Sequence, residues 1–123
     1  DAALAKHKNL DYIVGTTVTA NAAVDLIRRR GLKGKIKELS YYYGPGVHKG
    51  IRRGNVVAAP TDLQALQARM SVDLAIRALE KRPFFRHIGP KIIVVDRKKI
   101  DDFDASTSLP PRGFRPIFSV NDW

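Results

Sequence analysis

The chain has 123 residues, of which 44% are hydrophobic and 28% are charged, and its formal net charge is +10. This balance is typical of one globular domain and excludes a disordered chain, and no apolar run approaches the ~18 residues of a membrane-spanning helix. Because the chain has no cysteine, disulfides, thiolate metal sites and a cysteine nucleophile are all excluded. The positive charge favours acidic partners without selecting one kind.

The first part of the chain is predicted to form helix, strand and helix. Residues 2–10 have a helical pattern, and because the sequence begins at Asp1, we expect it to be a piece of a longer polypeptide or a processed one. Residues 10–16 form a short apolar strand. A helix capped by Thr19 follows and ends at Gly31, with apolar residues at i, i+3, i+4 and i+7 that give one stripe facing a sheet.

The segment from Ile36 to Asp62 has the pattern around which the rest of the chain is organised. It predicts a βαβ unit, because a strand, a glycine-rich stop, a short helix and a second strand follow one another. The predicted elements are a strand over 36–43, a helix over 47–53 with Gly54 in a left-handed C-cap conformation, a strand over 56–59, and Asp62 as the N-cap of the next helix.

The remaining elements are one long helix, one strand and a tail. Residues 63–82 form an amphipathic helix with a broad apolar face, which Pro83 stops. Residues 91–96 form a β-branched strand, and the tail from Arg97 is expected to be ordered but irregular. Strands alternating with helices predict an α/β fold, a Rossmann-like parallel sheet of about four strands with flanking helices.

The candidate binding residues lie at one predicted rim of this sheet. The loops of a βαβ unit gather at the carboxyl ends of its strands, which places Tyr41, Tyr42, Tyr43 and Asp62 at or near one edge. Successive strand residues point to alternate faces, so Tyr42 is expected to face opposite to Tyr41 and Tyr43. An aromatic ring there can bind a cationic or strongly dipolar small molecule, although packing in a core or an interface remains open as the alternative.

No pattern for catalysis, a metal or a nucleotide cofactor is present. The histidines are scattered without metal-ligand spacing, the acidic run near residue 102 lacks the glycine and glutamate of a calcium loop, and no P-loop or GxGxxG occurs. The GxxG at residues 31–34 leads into a strand, whereas the GxxG loop of RNA-binding KH domains joins two helices. We therefore expect a non-enzyme with no cofactor and no metal.

The order of short motifs along nearly the whole chain resembles the type I periplasmic binding proteins, and within them the TorT-like branch. Residues 10–32 are similar to a strand and helix of that family, and residues 40–80 are similar to its next block. The shared motifs are Ser40-aromatic-Tyr42, Val47-x-x-Gly50-x-x-Arg53-Gly54, Asp62, Gln67, Gly89-Pro90, Ser108-Leu109-Pro110 and Gly113-Phe114-Arg115-Pro116. The chain departs from the family at residues 43–46, and Ala68 stands where glycine is usual.

The resemblance implies a two-lobed protein of the periplasm that closes on a small ligand and has no enzyme activity. This chain would be a single segment of the C-terminal lobe, residues 1–123, with crossings between lobes near 61–64 and 87–91. The TorT-like branch senses trimethylamine N-oxide with the periplasmic domain of a sensor histidine kinase. The resemblance therefore implies these two partners, together with the remaining part of the parent chain or a homo-oligomer, and Tyr42, Asp62 and Tyr41 as ligand-binding residues.

A rival interpretation is a basic nucleic-acid-binding α/β module. It would use residues 28–37, Arg52-Arg53 and residues 97–99. These basic residues lie mostly at helix ends and strand starts, and no aromatic-basic RNA-binding motif accompanies them, so we expect no nucleic-acid partner.

Overall fold

A computed structural model of the protein describes residues 2–7, 9–115 and 117. Helices and strands alternate along it, and a short 3-10 turn follows the last strand. In chain order the elements are α1 (Ala2–Lys6), β1 (Tyr12–Gly15), α2 (Thr17–Arg29), β2 (Lys37–Ser40), α3 (Pro45–Arg52), β3 (Ala58–Thr61), α4 (Gln64–Leu79), β4 (Ile93–Asp96) and the 3-10 turn (Ala105–Thr107). None of the helices within these residues is both long and apolar enough to cross a membrane.

The strands confirm the α/β class and the predicted βαβ unit. β1 and β2 are parallel, with Gly15 opposite Ser40. A parallel bridge between Glu38 and Val56 continues the pairing toward β3, and the amide of Val57 donates to the Glu38 carbonyl at 2.8 Å. After α3 the chain therefore returns beside β2 in the same direction, as a βαβ unit requires.

The last strand runs antiparallel to β3, whereas the sequence predicted a parallel sheet throughout. Thr61, the last residue of β3, pairs with Ile93, the first residue of β4. The chain thus leaves the sheet after Thr61, forms α4, and re-enters the sheet beside the point where it left. A strand that starts where its neighbour ends must run in the opposite direction, and hydrophobic periodicity carries no information about that direction.

α2 and α3 cover one face of the sheet. β1 lies so close to α2 that a Cβ on Gly15 would come 2.4 Å from the Thr19 side chain, which explains glycine there. The core under these helices consists of the buried residues Ala20, Tyr43, Val47, Ile51, Val56, Ala59, Val95 and Ile100. The opposite face of β1 and β2 is more open, and Tyr12 and Val14 are exposed there.

Two predicted helix caps are wrong. Thr16 rather than Thr19 is the N-cap of α2, and its hydroxyl accepts from the Thr19 amide. Asp62 is not the N-cap of α4, because the cap is Leu63 in a left-handed conformation, φ 59° and ψ 55°, without a side-chain hydrogen bond. The hydroxyl of Thr61 accepts from the Leu63 amide at 3.1 Å, so a tight turn directly after β3 starts the helix in place of a capping carboxylate.

The other ends of the helices and strands differ less from the predicted ones. Gly54 has φ +69°, as predicted, directly after the C-cap residue Arg53. α3 starts at Pro45, where the fixed φ of proline suits the first helical turn. α1 ends at Lys6, and α4 ends at Leu79 with no buried residue. The tail is irregular as expected, while its residues 116 and 118–123 lie outside the described residues.

Candidate functional site

The three consecutive tyrosines lie beyond the end of β2, not on it. The side chains of Tyr41 and Tyr42 are 60% and 48% exposed, whereas Tyr43 is only 2% exposed. The predicted alternation is therefore wrong, because β2 ends at Ser40 and a turn follows. The Ser40 hydroxyl donates to the Tyr42 carbonyl at 2.7 Å and accepts from the Tyr42 amide at 3.3 Å, which fixes the turn.

Tyr43 anchors this turn in the core. Its hydroxyl lies 2.6 Å from Nδ1 of His48, and its ring packs edge-on against Phe103 with the ring centroids 5.5 Å apart. Burial raises the pKa of Tyr43 to about 12, against a smaller opposing effect of the Arg52 charge. Burial, followed by the charge of Arg52, lowers the pKa of His48 below its ordinary value. Both groups are therefore neutral near pH 7 and form a structural pair.

A buried network of hydroxyl and amide groups connects the end of β3 to the tyrosine turn. The Thr61 hydroxyl lies 2.7 Å from the Ser108 hydroxyl and donates to the Gln64 side-chain oxygen at 3.0 Å. The Gln64 side-chain nitrogen in turn donates to the Tyr43 carbonyl at 3.0 Å. These bonds hold together the carboxyl ends of β2 and β3 and the start of α4, a set of residues that we call the rim: 41–43, 61–64 and 108.

Asp62 carries an unsatisfied acceptor at the rim. Its carbonyl accepts from the Gln67 side chain at 2.8 Å, but the buried carboxylate oxygen Oδ1 has no hydrogen-bond partner among the described residues. A buried carboxylate oxygen without a donor is costly. Asp62 can therefore accept a hydrogen bond from a group that the structure does not contain.

Sequence reasoning missed Thr61 and Gln64 as residues that build the rim, and it placed Tyr43 there without identifying it as the buried anchor. Neither the apolar pattern nor helix propensity identifies a residue that hydrogen-bonds a distant loop, and Thr61 and Ser108 are 47 positions apart in the sequence. Ser108 does belong to the Ser-Leu-Pro motif of the family resemblance. Within the described ranges no group of three His, Asp or Glu side chains could hold a metal ion.

Comparison with known proteins gives consistent results. No family model matches the chain. It is 33% identical over 115 residues to the periplasmic protein TorT of Escherichia coli K12, a match that covers 94% of this chain and 33% of that protein. The chain thus spans about a third of the length of this curated relative.

Solved structures share the fold over almost the whole chain. One is an ABC transporter solute-binding protein from Bradyrhizobium sp. BTAi1 with bound bis-tris, at 48% identity and a TM-score of 0.85, covering 96% of this chain and 35% of that one. Another is TorT in complex with the TorS sensor domain in the presence of TMAO, at 34% identity and a TM-score of 0.88, covering 96% and 40%. A D-allose-bound solute-binding protein from Actinobacillus succinogenes, at 20% identity and a TM-score of 0.76, supports the fold alone.

The sequence match and the shared fold agree over nearly every residue of the chain, and they agree with the motifs from Ser40 to Pro116 that the sequence itself contains. In sequence and in fold, the chain corresponds over nearly its whole length to part of the type I periplasmic binding proteins, with TorT among its relatives.

Proposed function

We propose that this chain forms part of a periplasmic solute-binding protein that senses a small molecule with a substituted nitrogen, and that the ligand contacts the rim through Tyr42, Tyr41 and Asp62. The observation that carries the proposal is the presence at the rim of two exposed tyrosine rings and of an unsatisfied carboxylate oxygen, near the carboxyl ends of β2 and β3. Ligands of open α/β sheets bind at such ends.

The chemistry of the rim suits trimethylamine N-oxide. Its nitrogen is positively polarised and carries three methyl groups, which can lie against the faces of Tyr41 and Tyr42. The nitrogen of bis-tris, the molecule bound to the Bradyrhizobium relative, also carries three carbon substituents. A substituted nitrogen is thus common to the small molecules associated with two relatives, and exposed aromatic rings are the groups that recognise it.

A second lobe would complete the site. The chain leaves β3 after Thr61 and returns to pair with it at Ile93, and this excursion supports the proposed crossings near residues 61–64 and 87–91. Between them α4 buries none of its own residues, and Val72, Ile76 and Leu79 are exposed. We infer that α4 packs in that second lobe, that this segment belongs to the C-terminal lobe, and that ligand closes the lobes on the rim.

The proposed partner of the complete protein is the periplasmic domain of a sensor histidine kinase. The support is the relative TorT, whose solved structure is a complex with the TorS sensor domain. We infer a non-enzymatic role from the relatives, of which the Bradyrhizobium protein is described as a solute-binding protein. The nucleic-acid alternative has no support among them.

Calorimetric titration of the full-length protein with trimethylamine N-oxide tests the proposal. Tyr42→Ala should weaken binding about 5- to 30-fold, because removal of one desolvated ring from a cationic nitrogen costs roughly 1–2 kcal/mol. Tyr12→Ala is the matched control, since Tyr12 is 49% exposed, close to the 48% of Tyr42, but lies at the other end of the sheet.

The outcomes of this titration test the proposed ligand and the proposed site residue separately. Equal losses in Tyr42→Ala and Tyr12→Ala would remove Tyr42 from the site. A wild-type protein that binds bis-tris but not trimethylamine N-oxide would retain solute binding and overturn the ligand. Binding of neither compound, together with no complex with a sensor-kinase domain in sedimentation, would refute the function proposed here.

A further inference from the structure

A cleft of about 410 Å³ lies between the carboxyl ends of α2 and α3. It is remote from the rim, because Ile36 and Lys37 at the start of β2 line it, while the rim begins after the end of that strand. The floor is apolar and consists of Val24, Ile27, Ile36 and Val57. Its volume lies within the range of small-molecule sites, roughly 300–1,000 Å³.

The lining of the cleft carries an excess of positive charge. Four cationic side chains line it against a single carboxylate, that of Asp25, and the cations are Arg28, Lys33, Lys37 and Arg53. Asp25 is already paired with Arg28 at 3.2 Å, so it neutralises none of the other three. Lys37 lies over the ring of Tyr12 at 5.6 Å, which leaves Lys33 and Arg53 as the cations most available to a ligand.

Lys33 and Arg53 come from different parts of the chain and converge here. Lys33 is in the turn before β2, and Arg53 follows the last residue of α3. Among the residues that the structure describes, neither side chain has a hydrogen bond or an ion pair. The negative end of the α3 dipole offsets part of the Arg53 charge, whereas Lys33 lies outside the helices, in the turn before β2.

Two glycines with positive φ line the cleft. Gly34 and Gly54 have φ values of +85° and +69°, and a Cβ at either would meet no atom within 4 Å. Asn55, which also lines the cleft, adds an amide that can donate a hydrogen bond.

We propose that this cleft binds a small organic anion with two or more carboxylate or phosphate groups. The planar fork of Arg53 matches one such group with two parallel hydrogen bonds, and Lys33 supplies a point charge for a second group. The apolar floor accommodates a short carbon skeleton between them. A single carboxylate would leave one of the two cations without a counter-charge, so multivalent anions bind more tightly than acetate.

Titration of the full-length protein with citrate and with inorganic phosphate tests this site, with acetate as the monovalent comparison. Lys33→Gln and Arg53→Gln should each weaken citrate binding roughly ten-fold, because hydrogen bonds between charged groups are among the stronger ones. The matched controls are Lys49→Gln and Arg29→Gln, which remove the same charges from exposed positions outside the lining. The controls should stay within about two-fold of wild type at 0.15 M salt, where the Debye length is about 8 Å.

Each result decides the proposal. Tighter binding of citrate than of phosphate and acetate would support a ligand with several anionic groups, whereas tighter binding of inorganic phosphate than of citrate would overturn the requirement for a second group. If the cleft variants and their controls lose citrate affinity equally, the anion is attracted by net charge only and the proposed site is overturned. Equal affinities for acetate and citrate, or no binding of any anion at millimolar concentration, would also overturn it. Trimethylamine N-oxide affinity should not change in Lys33→Gln, which keeps this test separate from that of the rim.

Discussion

Glu38 should make the folded chain less stable as the pH rises toward neutrality. Its side chain is fully buried on β2, and neither carboxylate oxygen has a hydrogen-bond partner within the described part of the chain. Burial away from water therefore raises the pKa of Glu38 from 4.5 to about 7. A carboxyl in this environment is protonated at mildly acidic pH, where an exposed glutamate is already ionised.

The sign and size of the effect follow from proton linkage. Below pH 4.5 the folded and unfolded chains both bind the proton, so Glu38 carries no penalty. Between pH 4.5 and about 7 only the folded chain retains it, and the free energy of unfolding falls by about 1.4 kcal/mol per pH unit. The full loss is on the order of 3 kcal/mol above pH 7, a large fraction of the stability of a small domain.

Denaturant unfolding of wild type and Glu38→Gln at pH 4.5 and pH 8 measures this loss. Gln has nearly the same shape and no charge, so the variant should gain about 3 kcal/mol relative to wild type between the two pH values. Glu80→Gln is the control, because Glu80 is exposed and pairs with Arg82 at 3.0 Å, a contact worth less than about 1 kcal/mol. If the difference between wild type and Glu38→Gln is the same at both pH values, Glu38 is ionised in the folded chain and the reasoning fails.

Three further substitutions test features of the fold and the rim. Gly54→Val should lower the free energy of unfolding by more than ~1 kcal/mol, because φ is +69° there. The control Gly89→Val, at a glycine without positive φ or close neighbours, should have a smaller effect. Equal melting temperatures of the two variants would contradict this prediction. Thr61→Val should cost roughly 1–3 kcal/mol, since it leaves the buried Ser108 hydroxyl without this partner, and a melting curve like that of wild type would show that the network is dispensable. Asp62→Ala should leave the melting temperature unchanged or raise it, because the unpartnered Oδ1 caps no helix. The same variant should bind ligand more weakly in calorimetry. A clear drop in melting temperature would show that Asp62 has a structural role.

The sequence predicted the elements of the fold better than their ends. α3 and α4 follow from apolar spacing, and Gly54 ends α3 as its freedom at positive φ suggests. Thr16 and Thr19 are both acceptable N-caps, and only the position of β1 decides between them. The direction of β4 depends on where the chain re-enters the sheet, which is a long-range property without a local pattern.

The sequence predicted which region forms the rim, but not the hydrogen bonds and the burial that build it. The tyrosines and Asp62 were expected there because βαβ geometry gathers loops at one edge. The division into two exposed rings and one buried ring depends on the hydroxyl of Ser40, which ends the strand. The role of Gln64 depends on its contact with Tyr43, 21 residues away, and side-chain chemistry at that separation is visible only after folding.

The lack of buried residues in α4 has a consequence for hydrogen exchange. A helix of 16 residues is marginal in water without tertiary packing, and in this chain α4 packs mainly against the short 3-10 turn. Its amides should therefore exchange through local opening at little free-energy cost, while those of α2, which buries Ala20, Ala23 and Ile27, should exchange much more slowly. Protection of the α4 amides from hydrogen exchange, measured one amide at a time, then shows whether a second lobe covers this helix. A ligand that closes the lobes should slow exchange along the whole helix.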